Sequence, residues 1–182
     1  MTRILLLVAL SFMLSSVNCR KELPTIDISG FSYFDPVGFP LLQTDDGDWK
    51  LADSLSPREM ALFDFPVTQN LDNTTEAEII NNRVLPAPNP ASQFQGYFTQ
   101  VSDSVLMKLV IVDKYYYVMQ TASHKSKGHM NISVDLSDRK KFPSGLRLRA
   151  YFSFSAQGKP NYKFGYGDIM ICDNFGADLK CR

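Results

Sequence analysis

Along the second half of the chain, apolar and polar residues alternate one for one. In Met130-Asn131-Ile132-Ser133-Val134-Asp135-Leu136 every even position is apolar and every odd one polar. Leu146-Arg147-Leu148-Arg149-Ala150 repeats the pattern and runs on into Tyr151-Phe152-Ser153-Phe154. Phe94, Gly96 and Phe98 alternate with Gln95, Tyr97 and Thr99. A period of two puts one set of side chains on a core and the other in water, because successive strand residues point to opposite faces. Val105–Val112 is apolar almost throughout, which predicts a central strand covered on both faces. Tyr115–Gln120, rich in β-formers, and Asp168–Cys172 complete the set. Lys127-Gly128, Pro143-Ser144-Gly145 and Gly158-Lys159-Pro160 read as turns, and Gly165-Tyr166-Gly167 as a tight turn before the last strand. Six or seven short strands with turns between them predict an all-β fold, a β-sandwich.

The first half is less regular. Ile26–Phe34 reads as one strand and Thr44-Asp45-Asp46-Gly47-Asp48 as a turn. Ser56-Pro57-Arg58-Glu59 opens one short helix: Ser56 at the N-cap, Pro57 in the first position and Glu59 in the third make a capping box. The helix is expected to end near Phe63 or Asp64 and to pack on the sandwich through Met60, Leu62 and Phe63, with Trp49 just upstream. Asp72–Glu78 reads as exposed loop. Pro86-Ala87-Pro88-Asn89-Pro90 excludes helix and central strand, so the chain divides there into an extension, 20–85, and a sandwich domain, 86–182. Charge divides with it: 5 basic and 12 acidic side chains before the boundary, 13 basic and 7 acidic after it. Either the two parts pack with complementary fields, or the basic part meets an anionic partner such as a polysaccharide or lipid headgroups. No interleaved aromatic and basic motif points to nucleic acid.

Residues 1–19 read as an address. Arg3 precedes an apolar run, Ile4–Leu14, too short for a helix to cross a bilayer of about 30 Å. Ser15-Ser16-Val17-Asn18-Cys19 follows, and the stretch resembles a bacterial lipobox with Cys19 as the lipidated residue. Arg20-Lys21-Glu22 resembles the charged start of envelope lipoproteins of the Bacteroidetes. The competing reading is ordinary signal-peptidase cleavage after Cys19. Cys172 and Cys181 then remain, and in an oxidising space they are expected to pair. Their disulfide would close a loop of about ten residues and contribute roughly 2.5–3 kcal/mol in the chain-entropy picture.

Pro88-Asn89-Pro90-Ala91-Ser92 resembles the opening of the immunoglobulin-like domain that exported Bacteroidetes proteins use as a type IX secretion sorting domain. Val105–Val112 with Asp113, Ile132-Ser133-Val134-Asp135-Leu136-Ser137, and Ser144-Gly145-Leu146 sit at spacings similar to that family's later strands and turns. The resemblance covers about residues 86–155. It implies an immunoglobulin-like or fibronectin III-like sandwich in a bacterial envelope. It is not extended to secretion itself, because the chain runs on past Ser155 and carries both cysteines there.

The catalytic inventory is thin. The only histidines, His124 and His129, lie in the basic stretch Ser123–His129, which reads as a solvated loop, and no third metal ligand accompanies them. No serine elbow is present. Asp45, Asp46, Asp48 and Asp53 surround Trp49, where a sugar could stack on the indole beside paired carboxylates; clustered Asp with Gly is also what a surface turn requires. Trp49, Tyr115, Tyr117 and Tyr151 are the candidate ligand-binding aromatics. Asn73-Thr74-Thr75 and Asn131-Ile132-Ser133 fit N-glycosylation acceptors, which matter only in a eukaryotic source. The 182 residues, 45% hydrophobic and 21% charged with zero net charge, exclude a disordered chain, a coiled coil and a collagen-like repeat. The leading expectation is a non-catalytic, lipid-anchored envelope protein, without cofactor, that acts as a binding or accessory module through an envelope protein or polysaccharide partner. Its rivals are a freely secreted adhesion or carbohydrate-binding module and a small hydrolase using Asp45, Asp46 or Asp48.

Overall fold

A computed structural model describes residues 24–30, 32–41, 45, 47–174 and 181. Five antiparallel strands lie side by side in the order β1 (Lys50–Leu51), β8 (Lys159–Met170), β7 (Arg147–Ala156), β4 (Val105–Val112), β5 (Val118–Ser126). A second sheet holds β2 (Leu85–Ala87), β3 (Phe94–Gln100) and β6 (His129–Asp135). The two sheets share one core. Met107, Leu109 and Ile111 of β4 and Phe152 and Phe154 of β7 are buried in it with Tyr97 of β3 and Met130, Ile132 and Val134 of β6. This is the sandwich that the alternation predicts.

As expected of its composition, β4 lies inside its sheet, and every residue of it but Lys108 is buried. Its second face carries Val110 and Val112, beside Tyr151 of β7, under Ile26 and Phe63 of the first half. Ile26 and Ile28, with Leu55, Met60, Leu62, Phe63 and Phe65, thus form a third layer. Its one helix, α1 (Pro57–Met60), has the predicted capping box: Ser56 Oγ accepts from the Glu59 N–H at 3.3 Å, and a Glu59 carboxylate oxygen accepts from the Ser56 N–H at 2.8 Å. A helix this short is not stable alone. The sheet holds it: Tyr151 Oη donates to Glu59 at 2.7 Å, and Lys108 Nζ donates to the Phe63 carbonyl, also at 2.7 Å.

Trp49, Ile79 and Val84 lie in the main core, so the first half is built into the sandwich. The charge division is part of that docking. Arg147 and Arg149 donate to the Ser29 and Asp27 carbonyls, each at 2.6 Å, and Lys159 pairs with Glu76.

Several local expectations are corrected. Ile26–Phe34 is not a strand; among its described residues only Phe34 bridges, to Pro40 and Asn89. Lys114 and Tyr115 form a turn, Tyr116 follows it at φ 68°, and the strand begins at Val118. Ser123–His129 is no loop: it ends β5 and opens β6 around Gly128, whose φ of 82° suits glycine. In the predicted loop Asp72–Glu78, Thr74 and Ala77 are buried. Gly165-Tyr166-Gly167 lies in the middle of β8, opposite β1. A Cβ on Gly165 would stand 2.2 Å from the Lys50 carbonyl, and one on Gly167 2.3 Å from the Trp49 indole. These glycines serve close approach rather than a turn. Cys172 and Cys181 are disulfide-bonded with their Cα atoms 5.3 Å apart. Cys19 lies outside the described residues, and no described helix is long and apolar enough to cross a membrane.

Candidate functional site

Of the predicted acidic cluster, Asp46 lies outside the described residues. Asp45 and Asp48 line a cleft of about 290 Å³ with Asp27, Arg149, Tyr166 and Asp168. Burial pushes the Asp48 carboxyl up to about 7, and the negative charge of Asp168 adds to the push. Yet both Asp48 oxygens are committed to the backbone: one accepts from the Ser32 N–H at 2.9 Å, the other from the Asp168 N–H at 3.2 Å. Asp45 accepts from the Gly47 N–H at 2.9 Å, as a turn aspartate does. Asp168 is 3% exposed and receives two hydrogen bonds from Arg149, at 2.7 and 2.9 Å. Arg149 also covers the Tyr166 ring, 4.6 Å from its centroid. The carboxylates fasten the first-half segment to β8.

The predicted aromatics separate into two pairs. Trp49 is 1% exposed, and a left-handed φ of 63° turns its ring onto Gly167 and toward Tyr97, 5.7 Å away between centroids. Tyr151 is buried in the layer beneath Phe63, its hydroxyl bound to Glu59. Neither can be a stacking platform: the apolar rings complete two cores. Tyr115 and Tyr117 are exposed, at 37% and 63%.

A different aromatic surface stands open on the three-stranded sheet. In β3 it is Gln95 and Tyr97 that face the core, while Phe94 is 54% and Phe98 38% exposed. The polar atoms inside are satisfied: Tyr97 Oη donates to Gln95 Oε1 at 2.7 Å, and Gln95 Nε2 donates to the Pro88 carbonyl at 2.9 Å. Outside, the Phe98 ring folds across Gly96, where a Cβ would meet it at 2.6 Å. Beside the ring runs a groove of about 440 Å³. Its walls include Ile80, Arg83, Thr99, Gln100, His129 and Asn131. Asn81, at φ 64°, also lines it. Arg83 makes no ion pair with a described residue.

No protein-family model, curated protein or solved structure matches this chain.

The groove therefore has to be read from its own chemistry. An aromatic face, the carboxamides of Asn81, Gln100 and Asn131, an imidazole and a guanidinium can stack on and hydrogen-bond a polar ligand lying along the sheet. It has no nucleophile activated by a base. Among the described residues, no three His, Cys, Asp or Glu side chains are placed to hold a metal ion. The alternation marked β3 as a strand without saying which set faces out. The signal was Gly96: a glycine facing the core leaves a hole, whereas one facing outward leaves a shelf for a neighbouring ring.

Proposed function

We propose that this protein is a non-catalytic binding module of the immunoglobulin-like kind, exported and held at a membrane by acylation of Cys19. Its binding surface is the outer face of β2, β3 and β6, and its ligand is an extended polar chain, a glycan of the envelope or matrix. The supporting observation is the Phe98 ring lying flat over Gly96 beside a groove walled by Arg83, His129, Gln100 and Asn131. Flat apolar rings flanked by amides match the mixed apolar and hydroxyl faces of sugars. The acidic cluster is assigned to structure, because the Asp48 and Asp168 oxygens are taken by the fold.

The test is titration of the purified protein with a panel of neutral and acidic polysaccharides, followed by calorimetry. Phe98→Ala and Asn131→Ala are expected to weaken binding about tenfold or more without lowering the melting temperature. Undiminished binding by both variants would move the ligand elsewhere. Intact mass of the mature protein checks the anchor: an acylated chain starting at Cys19 supports it, and an unmodified chain starting at Arg20 makes the protein a freely secreted module.

A further inference from the structure

The anchor reading places Cys19 only five residues before Pro24, the first described residue. Fully extended, five residues reach at most about 18 Å. The part of the fold that receives the chain must then lie close to the lipid. That part is identifiable: the Ile26 N–H donates to the Lys114 carbonyl at 2.8 Å, so the chain enters against the β4–β5 turn.

This turn has the composition of a membrane interface. Tyr115, Tyr117 and Val118 are 37%, 63% and 53% exposed. It is a fixed shape, since Asp113 Oδ1 accepts from the Tyr115 and Tyr117 N–H groups at 2.8 and 2.9 Å. Cations flank it. Lys114 Nζ lies 4.9 Å from the Tyr115 ring centroid, and the Arg58 guanidinium lies 4.2 Å from that of Tyr116. Exposed tyrosines bordered by Lys and Arg suit the headgroup layer of an anionic bilayer, with rings partly sunk and cations at the phosphates.

The register puts Val112, Val118, Arg149 and Met170 at the end of the sandwich that bears this turn. The opposite end holds Ser126, His129 and Gln100, and with them the groove. Eight residues of β4 separate the two ends by about 25 Å.

We infer that the end bearing Tyr115, Tyr117 and Val118 is a bilayer-contacting surface that stands the sandwich upright, its groove turned away from the lipid. The inference rests on the anchored reading for its geometry and is tested apart from it. The full chain would be bound to vesicles of phosphatidylethanolamine and phosphatidylglycerol, and backbone hydrogen exchange compared with the lipid-free protein. Amides 115–118 are expected to exchange about tenfold more slowly on vesicles, and those of Gln100 and His129 at unchanged rates. In a Cys19→Ala background, which lacks the acyl chain, Tyr117→Ser with Val118→Ser is expected to lower partition into these vesicles about tenfold. Tyr117→Ser alone is the milder variant if the pair unfolds. Equal exchange at both ends, or protection confined to the groove end, overturns the inference even where the mass of the protein proves acylation. Protection at 115–118 in a chain whose mass shows no acyl group sustains it while removing the anchor.

Discussion

The sandwich has two outer faces, and the described residues cover only one. On the five-stranded sheet, Val110, Val112 and Tyr151 lie beneath Ile26 and Phe63, and the long cations of that face end on backbone carbonyls of the layer above. On the three-stranded sheet, Phe94 and Phe98 are open, with polar neighbours across the strands: Asp135 opposite Phe94 and Asn131 opposite Phe98. Apolar surface favours burial by roughly 25 cal/mol per Å². The covered face collects that energy within the chain. The open face leaves it to be collected by something else, which is what a binding surface requires.

The contrast can be broken first at its centre. Phe63 is fully buried, so Phe63→Ala is expected to cost about 3–5 kcal/mol in urea unfolding, while Phe98→Ala costs less than about 1 kcal/mol. Equal losses would make both faces structural and end the comparison. Next comes the seam between layer and sheet. Gly167→Ala would drive a methyl into the Trp49 indole and is expected to cost about 1–3 kcal/mol, read as a lowered melting temperature. A neutral outcome would mean that Trp49 is free to move. Smaller again is the cap: Ser56→Ala loses the bond to Glu59 and is expected to cost about 1 kcal/mol. Because Glu59 also holds Tyr151, the loss should loosen the cover and leave the amide exchange of β6 unchanged.

The last prediction concerns pH. Asp48 sits at about 7 in the folded protein, above the ordinary aspartate value of 3.8 it regains on unfolding. Between those values the folded state holds the extra proton, so stability falls as pH rises from about 4 to about 7. Asp48 is partly open to solvent, and the expected shift is a few degrees in melting temperature between pH 5 and pH 8. Asp48→Asn should flatten that slope. An unchanged slope would place the titration on the neighbouring Asp168 instead, whose carboxyl burial also pushes up.

What the sequence showed and hid follows from the range of the interactions. β6 is legible because its alternation is local and its faces are cleanly divided, and β4 because it is apolar almost throughout. The capping box at Ser56 was legible for the same reason, since its partner is three residues away. Which face of β3 turns inward depended on a Tyr97–Gln95 bond and on Pro88, a contact no periodicity records. Gly165-Tyr166-Gly167 carried a turn signal, but its meaning lay in Trp49 and Lys50, more than a hundred residues away. The acidic cluster around Trp49 suits a surface turn or paired-carboxylate chemistry in the sequence, and the bonds of Asp48 to Ser32 and Asp168, which tie it to the fold, are long-range contacts that no local pattern records. The open site was overlooked because its rings, Phe94 and Phe98, look like core residues in the sequence.

Trp49 is the only tryptophan in the chain, and it stands where the first-half segment meets β8 and the main core. Its indole N–H has no hydrogen-bond partner among the described residues. The molecule therefore carries a single tryptophan fluorophore, buried at its principal seam. Its emission colour reports whether the segment is seated, one photon source for one docking event. Thermal unfolding and pH ramps can be followed by that light without attaching a label, and a seam that opens will show itself as a shift to longer wavelength.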